Sequence, residues 1–484
     1  MRLEELSGLE IGKLVNSGEL SPVEVVEYFA KRIEEKNPNL NAFTYTKIED
    51  AIQEAKKLES KIILEDQYCG RFAGVPIGLK DFLDSKKGWT NSHGGVRSLV
   101  REDQFDSVFY EAANRAGAIA VGKTNAPPFG FSGTCNNEMY GSTKNPFNTE
   151  YSSGGSSGGT ACAVASGLIT FGEGGDAGGS IRIPAAWCNC FGFKPSAGYI
   201  PNYCRPDGWA ATHPFCCNGS ITKTVDDSAI MFVLMSRYDP KDPYSVPYSP
   251  KHFIAPRIRD MRVAVTYDFD LFPAPHPDIQ FEIDHAAKLL RSEGADVDYV
   301  KFNFRHGLDE LAQMWCKTIS IDTSLDLRDW KASGLDLVKD HREELPEEFI
   351  YWNEQASTMD VSEYRRFNEM RTDILDQYES VFEKYDILLS PVSACLPAKV
   401  DTSETMLGHN LGKEMSVNSV IGYAETFLAN FIGYPAASVP MGFSKDEHLP
   451  IGVQVTARRY RDTSVLAVSK RFEELNPWRT NYIF

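Results

Sequence analysis

The sequence predicts an α/β protein. Short apolar runs that could form buried strands recur along the chain, for example at residues 118–122 and 262–265. Segments with apolar residues at helical spacing lie between such runs, as at residues 279–293. No internal repeat with a period of about 20 to 50 residues is evident. Alternation of this kind is typical of a sheet with helices packed on its faces.

Helices are predicted for the N-terminal part of the chain. Residues 21–24 combine a capping serine, a proline at the first helical position and a glutamate three residues after the serine. We expect this helix to end at Asn37-Pro38. A second helix is predicted over residues 48–63, followed by an apolar strand over residues 72–80 despite its proline and glycines.

Residues 151–179 are rich in glycine and serine, a composition that usually marks a flexible linker. Apolar runs at 161–165 and 168–171 interrupt this segment, and a linker would not carry them. We therefore expect a helix over residues 158–166 and a strand ending near residue 171. The glycine clusters at each end are predicted to form tight turns.

The C-terminal half continues the alternating pattern. Its central region, residues 305–380, is predicted to be mainly helical and carries much of the acidic excess. Strands are predicted at residues 262–265, 297–300, 386–389, 437–439 and 451–455, with the helix 279–293 between the first two.

Composition and charge narrow the possible functions. The chain has 484 residues, of which 42% are hydrophobic and 24% charged, and a formal net charge of −17. This charge repels nucleic acids and anionic membranes, so neither is expected as a partner. Without a leader-like start or an apolar run long enough to span a bilayer, a cytoplasmic location is expected. The ten cysteines lack paired C-x-x-C spacing, so we expect buried thiols, no metal and no cofactor.

Two clusters of glycine and hydroxyl residues carry the chemistry. The first is GGSSGG at residues 154–159, and the second is GGDAGGSIR at residues 174–182. Successive small residues allow several backbone N–H groups to point into one concavity, which suits an oxyanion developing on a tetrahedral carbon. Ser180 would lie at the edge of that concavity.

Nucleotide binding is disfavoured. Residues 172–177 match the dinucleotide pattern G-x-G-x-x-A, yet no Asp or Glu between Ala177 and Asp207 could hold a ribose. Pro184 also falls early in the helix that the motif requires. The phosphate-binding pattern G-x-x-x-x-G-K-[ST] is absent from the sequence.

An α/β-hydrolase esterase with a Ser-His-Asp triad remains an alternative. Residues 154–158 and 155–159 both match the G-x-S-x-G motif that places a nucleophilic serine on a sharp turn. Such an enzyme would need a downstream histidine as its base, for example His409 or His448. Nothing in the sequence around either histidine marks it as special.

The strongest signal is a set of motifs that resembles the amidase signature family in order and spacing. The motifs are GVPIGLKDF (74–82), YGSTKNPFN (140–148), GGSSGG (154–159), GGDAGGSIRIPAAWCNCFGFKPS (174–196) and PIGVQV (450–455). The resemblance is weakest from about residue 240 to 380. It implies one large α/β domain with a central twisted mixed sheet covered by helices on both faces. Within that domain we distinguish an N-terminal helical segment (1–65), a signature core (66–240), a variable helical region shaping the substrate pocket (241–380) and a C-terminal part (381–484).

The resemblance also implies a Ser-Ser-Lys triad, in which Lys80 is the base, Ser156 the bridging serine after a cis peptide, and Ser180 the acylated nucleophile. It assigns the oxyanion hole to the backbone N–H groups of Ala177, Gly178, Gly179 and Ser180. It assigns supporting roles to Ser157, Asp176 and Arg182. A lysine can take a proton from serine only when neutral, so its pKa must fall from about 10.4 to roughly 7 to 8, and burial shifts it in that direction.

The sequence departs from the family pattern at Gly175, Ala177 and Asn189. The glutaminase subunit of the tRNA-dependent amidotransferase typically carries Gln where this chain has Ile183, so we favour a stand-alone amidase. The expected partner is a small amide substrate, and a homodimer is a candidate assembly. Aromatic residues near the motifs are interpreted as an apolar acyl or aryl pocket, namely Phe129, Phe131, Trp187 and Trp209.

Overall fold

The computed structural model describes residues 2–205, 207–210, 212–247, 257–400 and 424–482. In chain order, strands β1 to β13 are Phe43–Thr46, Pro76–Lys80, Thr90–Asn91, Arg101–Glu102, Ile119–Thr124, Phe171–Asp176, Phe191–Lys194, Cys217–Thr222, Arg262–Val265, Asp296–Tyr299, Ile387–Pro391, Ala436–Phe443 and Pro450–Ala457. Helices α1 to α15 are Gly8–Asn16, Pro22–Leu40, Ile48–Glu65, Val108–Arg115, Gly158–Ala165, Arg182–Trp187, Val225–Met235, Pro277–Ser292, Leu308–Ile319, Ile321–Ala332, Leu337–Asp340, Glu347–Ser357, Val361–Phe382, Phe427–Ile432 and Asp462–Leu475.

Eleven strands form one sheet in the order β1-β5-β2-β6-β8-β7-β12-β13-β11-β9-β10, and β3 pairs with β4 separately. Pairing is parallel across β5-β2-β6 and across β11-β9-β10, and antiparallel at the other contacts of the large sheet. This arrangement confirms the predicted mixed sheet.

Helices cover both faces of the sheet. Successive side chains of a strand point to opposite faces, and apolar side chains on both faces need helices to bury them. On β9, Val263 and Val265 pack into one hydrophobic cluster, to which α4, α7, α8 and α15 contribute. Ala264 points the other way, into a cluster built from α6, α9 and α12 to α14. The predicted helical region 305–380 therefore forms much of the cover over the second face. No helix in the described ranges is both long enough and apolar enough to cross a membrane.

Two details of the predicted elements are wrong. Helix α2 does not end at Asn37-Pro38 but continues to Leu40, where Asn41 in the left-handed conformation closes it. The proline is tolerated there because it removes one hydrogen bond in the last turn, while Asn37 exchanges hydrogen bonds with the backbone of Phe43.

The second error concerns the strand expected to end near residue 171. Strand β6 instead begins at Phe171, and the glycines after it form this strand rather than a turn. A side chain at Gly172 would come within 2.6 Å of Thr160, and one at Gly174 within 2.7 Å of Ile181. These glycines therefore allow α5 and the loop between β6 and α6 to pack closely on the sheet. Neither glycine has a positive φ angle.

Candidate active site

Lys80 and Ser156 meet in the interior of the protein. Lys80 is the last residue of β2, and its Nζ donates to Ser156 Oγ at 2.8 Å. Lys80 is 1% exposed and Ser156 is 2% exposed. Burial lowers the pKa of Lys80, and the carboxyl group of Glu173 on the neighbouring strand is the strongest opposing influence. Burial also raises the pKa of Glu173 well above its usual value. This lysine therefore holds its proton less tightly than a solvated one, as a base that must be neutral requires.

Ser156 lies in the segment that leads into α5, and the Gly155–Ser156 peptide is cis. A side chain at Gly130 would lie 3.1 Å from Ser156 Oγ and equally close to the Phe82 ring. The loop containing Gly130 therefore lies directly against the Lys80–Ser156 pair. Ser157 is buried, and its hydroxyl has no hydrogen-bond partner among the residues that the structure describes, although its N–H donates to the Ser180 carbonyl at 3.1 Å.

Ser180 lies in the loop between β6 and α6 and is partly exposed, unlike Lys80 and Ser156. Four successive backbone carbonyls, those of residues 176–179, accept hydrogen bonds from other parts of the chain. Asn430 donates to the Asp176 carbonyl at 2.8 Å, Trp315 to that of Ala177 at 3.1 Å and Thr426 to that of Gly178. The Gly179 carbonyl accepts from the N–H of Ile183 at 2.7 Å.

In a trans peptide the C=O and N–H groups point in opposite directions. Anchoring these four carbonyls therefore turns the N–H groups of Ala177, Gly178, Gly179 and Ser180 away from the anchoring residues. Gly179 differs from the rest because its N–H donates to Asp176 Oδ1 at 2.8 Å. The other three N–H groups donate to no acceptor within the described part of the chain, so they are the ones able to bind an oxyanion.

Arg182 and Asp176 form a fully buried ion pair behind the loop. Arg182 donates to both carboxylate oxygens, Nε to Oδ2 at 2.9 Å and Nη2 to Oδ1 at 2.8 Å. Its remaining N–H groups bind Gln454 at 2.6 Å, Asn430 at 2.6 Å and the Thr426 carbonyl at 2.9 Å. All five guanidinium donors thus have acceptors, which is the condition under which a buried arginine is tolerated.

Replacing Asp176 by asparagine should lower the free energy of unfolding by about 3 to 5 kcal/mol, because it leaves the buried Arg182 without a counter-charge. Denaturant titration of wild-type and variant proteins measures this difference. Asp329→Asn, which removes an exposed pairing with Arg328, is the control and should hardly change stability. Equal stability of Asp176→Asn and wild type would contradict the assignment of a bracing role.

The pH dependence of that difference follows from the pKa of Asp176. Burial alone would raise this pKa, but the Arg182 guanidinium lowers it to about 2. Since the unfolded value is about 3.9, the stabilisation is fully present above that pH and is lost as the pH falls towards 2. The stability difference should therefore be constant from about pH 5 to pH 8.

The aromatic residues predicted to form the substrate pocket lie in different places. Phe129 stacks on Phe349 with ring centroids 4.6 Å apart, and Phe131 packs against Phe349 and Trp315. Trp187 is buried beneath Gly154, where a side chain would come within 3.1 Å of its ring. Trp209 does not belong to this group, because it is 61% exposed and contacts Tyr244.

The histidine that the esterase alternative requires is not seen beside Ser156 in the described ranges. His448 stacks on Phe443 in the turn between β12 and β13, with ring centroids 4.5 Å apart. His409 lies outside the described residues. Lys80 occupies the position next to Ser156 Oγ that a histidine base would need.

One departure from the family pattern has a structural explanation. Asn189 has a φ of +56°, the left-handed region in which glycine is preferred and asparagine is the best tolerated alternative. Its side chain donates to the Trp478 carbonyl, and its own carbonyl accepts from Tyr482.

Four residues that hold the loop between β6 and α6, called here the nucleophile loop because Ser180 is its candidate nucleophile, were not singled out from the sequence: Trp315, Thr426, Asn430 and Gln454. Gln454 lies within the PIGVQV motif, so its presence there was the available signal. The other three lie outside the quoted motifs, and their contacts with the loop span more than a hundred residues of sequence.

Comparisons with known proteins identify the family of the chain. The family model described as Amidase matches residues 24–466. An acylamidase of Rhodococcus erythropolis is 29% identical over 98% of this chain and 96% of its own length. A glutamyl-tRNA(Gln) amidotransferase subunit of Bacillus cytotoxicus is 30% identical over 99% of each chain. The crystal structure of a bacterial aryl acylamidase of the amidase signature family superposes with a TM-score of 0.92 at 33% identity, covering 99% of this chain and 97% of that one.

The match covers the whole signature core, and the similar proteins span nearly the full length of this chain. The chain therefore belongs to the amidase signature family and is an amidase, an enzyme that hydrolyses carbon–nitrogen amide bonds.

Proposed function

We propose that the protein is a stand-alone serine amidase, in which Ser180 is the nucleophile, Ser156 relays protons and Lys80 is the base. The observation that carries this proposal is the 2.8 Å hydrogen bond between Lys80 and Ser156, both buried. The residue after Ser156, Ser157, donates its N–H to the Ser180 carbonyl at 3.1 Å, so this pair is joined to the loop that contains Ser180. A buried, uncharged lysine next to a serine hydroxyl is an arrangement suited to accepting a proton.

Acylation begins when Ser180 Oγ attacks the amide carbonyl. Its proton passes to Ser156 Oγ, whose own proton passes to Lys80 Nζ. The negative oxygen of the tetrahedral intermediate accepts hydrogen bonds from the N–H groups of Ala177, Gly178 and Ser180. Gly179 is not part of this set, because its N–H is already donated to Asp176.

Collapse of the intermediate breaks the carbon–nitrogen bond, and the proton on Lys80 returns through Ser156 to the leaving amine. Water then attacks the acyl-enzyme, and one of its protons passes through Ser156 to Lys80. The second collapse releases the carboxylic acid and restores the Ser180 hydroxyl. The three residues thus form one cooperating unit.

A neutral acyl or aryl amide is the proposed substrate class. Ile183 is buried, and a side chain at Gly179 would come within 2.7 Å of it and closer still to the Thr426 hydroxyl. Ile183 therefore forms an apolar wall beside the loop, next to the Thr426 side chain. A cavity of about 230 Å³ lies next to Phe131, and several glutamates are among its lining residues: Glu138, Glu343, Glu344 and Glu348. Their negative charge disfavours anionic substrates. The acylamidase and aryl acylamidase relatives support this class.

A glutaminase that works within a tRNA-dependent amidotransferase is the second candidate function, favoured by the 30% identity to the amidotransferase protein of Bacillus cytotoxicus. The apolar Ile183 beside the nucleophile loop argues against it. Hydrolysis of anilides with no release of ammonia from glutamine would support the stand-alone amidase, and the reverse selectivity would support the glutaminase.

A fluorophosphonate probe should label the peptide that contains Ser180, because the activated serine attacks phosphorus and keeps the adduct. Peptide mapping by mass spectrometry identifies the site. Labelling confined to Ser156 or Ser157 would overturn the assignment and support the esterase alternative.

A further inference from the structure

Trp315 is placed by helix α9, which lies in the region of weakest family resemblance. Leu308, Leu311, Ala312 and Trp315 recur at helical spacing, and all four are buried in the cluster that covers the second face of the sheet. Their burial directs the indole of Trp315 inwards, where it is 6% exposed.

The indole contacts the nucleophile loop at one peptide unit. Its Nε1 donates to the Ala177 carbonyl at 3.1 Å. That carbonyl belongs to the same peptide as the Gly178 N–H, and the two groups of a trans peptide point in opposite directions. Fixing the carbonyl therefore fixes the direction of the Gly178 N–H, which donates to no acceptor in the described ranges.

The ring also packs against Gly178 itself. A Cβ atom at this position would lie 2.9 Å from Trp315 Cε2 and closer still to Cζ2, so the indole rests directly on the glycine α-carbon. A hydrogen bond and a ring contact thus hold the same peptide, and its carbonyl cannot turn away from Trp315 without losing the hydrogen bond. The ring also packs against Phe131, with ring centroids 6.4 Å apart.

Resting on the proposed function, we propose that Trp315 is a positioning residue that aims the Gly178 N–H at the oxyanion. It acts through the Ala177–Gly178 peptide and does not touch the reacting atoms. Because Trp315 also contacts Phe131, the same side chain links an aromatic residue of the expected substrate pocket to the oxyanion hole.

Trp315→Phe keeps an aromatic ring and removes the indole N–H. We expect kcat to fall by about tenfold to a hundredfold, somewhat less than the loss of a whole oxyanion donor, with KM within about twofold of wild type. The affinity for a trifluoromethyl ketone, which forms a tetrahedral adduct on the serine, should fall by the same factor as kcat/KM. Binding of the product carboxylic acid should not change.

Trp478→Phe is the matched control. Trp478 is buried, and its indole donates to the Lys223 carbonyl at 2.9 Å, in a bond of the same type away from the loop. Both variants should lose a similar amount of thermal stability, but Trp478→Phe should keep wild-type kcat and ketone affinity. A second replacement of Trp315, by 3-benzothienylalanine, substitutes sulfur for the N–H at constant ring size and should reproduce the kcat loss without a cavity.

Unchanged kcat and ketone affinity in folded Trp315→Phe and in the benzothienylalanine protein would overturn the inference, and so would an effect confined to KM. These outcomes differ from failure of the proposed function. If the fluorophosphonate labels Ser180 in the wild type, the nucleophile assignment stands whatever Trp315 does. If it does not, the proposed function falls first.

Discussion

Ser180→Ala should abolish amide hydrolysis, with kcat reduced by roughly 10⁶-fold, because in the proposed mechanism Ser180 supplies the oxygen that forms the acyl-enzyme. The variant should also lose fluorophosphonate labelling. Substrate binding should be retained, because the N–H groups of Ala177 and Gly178 and the apolar wall at Ile183 do not depend on the hydroxyl. Steady-state kinetics and equilibrium binding of an amide substrate measure both effects.

Ser166→Ala is the control for this substitution. Ser166 is a buried serine whose hydroxyl donates to the Cys162 carbonyl at the end of α5. Its removal should leave kcat unchanged. Appreciable turnover by Ser180→Ala, in a folded protein that still binds substrate, would contradict the role of Ser180.

Lys80→Met should lower kcat by about 10⁴-fold with little change in KM, since the base acts in the transition state and not in ground-state binding. Methionine fills the volume of the buried lysine without its amine. The double variant Lys80→Met/Ser180→Ala should be no less active than Ser180→Ala alone, because residues that act as one unit have non-additive effects.

The pH profile gives an independent measure of the same residue. Burial lowers the pKa of Lys80. In the proposed mechanism the lysine accepts a proton from Ser156, which it can do only when it is neutral. The ratio kcat/KM should therefore rise with pH, with a midpoint well below the free lysine value of about 10.4, and remain high into mild alkali.

Lys223→Met is the matched control for the lysine substitution. Lys223 is also buried, and its amine donates to the Glu4 carbonyl. Glu4 is not part of the candidate active site. This variant should keep wild-type kcat. A Lys80→Met protein with near-normal turnover, together with an inactive His409→Ala or His448→Ala protein, would refute the Ser-Ser-Lys assignment.

Much of the fold could be predicted because its signals are local. Apolar runs and capping residues specify strands and helices over stretches of a few residues, and those patterns identified β5, β9, α3 and α8 to within a few positions. The glycines of β6 were misread because glycine serves both turns and close packing. The neighbours that decide between the two, Thr160 and Ile181, are recognised only when the chain is folded.

The sequence by itself determined the family, the contiguous GGDAGGSIR segment from Gly174 to Arg182 and the identity of Lys80, Ser156 and Ser180 as candidates. These features depend on residue types at fixed spacing, which a linear pattern records. Tertiary structure alone decided what holds the loop: Gln454 reaches Arg182 across 272 residues, and Trp315 reaches Ala177 across 138. It also decided that the Gly179 N–H is directed to Asp176. The physical reason is that hydrogen-bond direction is set by partners brought together when the sheet and its covering helices pack, and no local pattern encodes those partners.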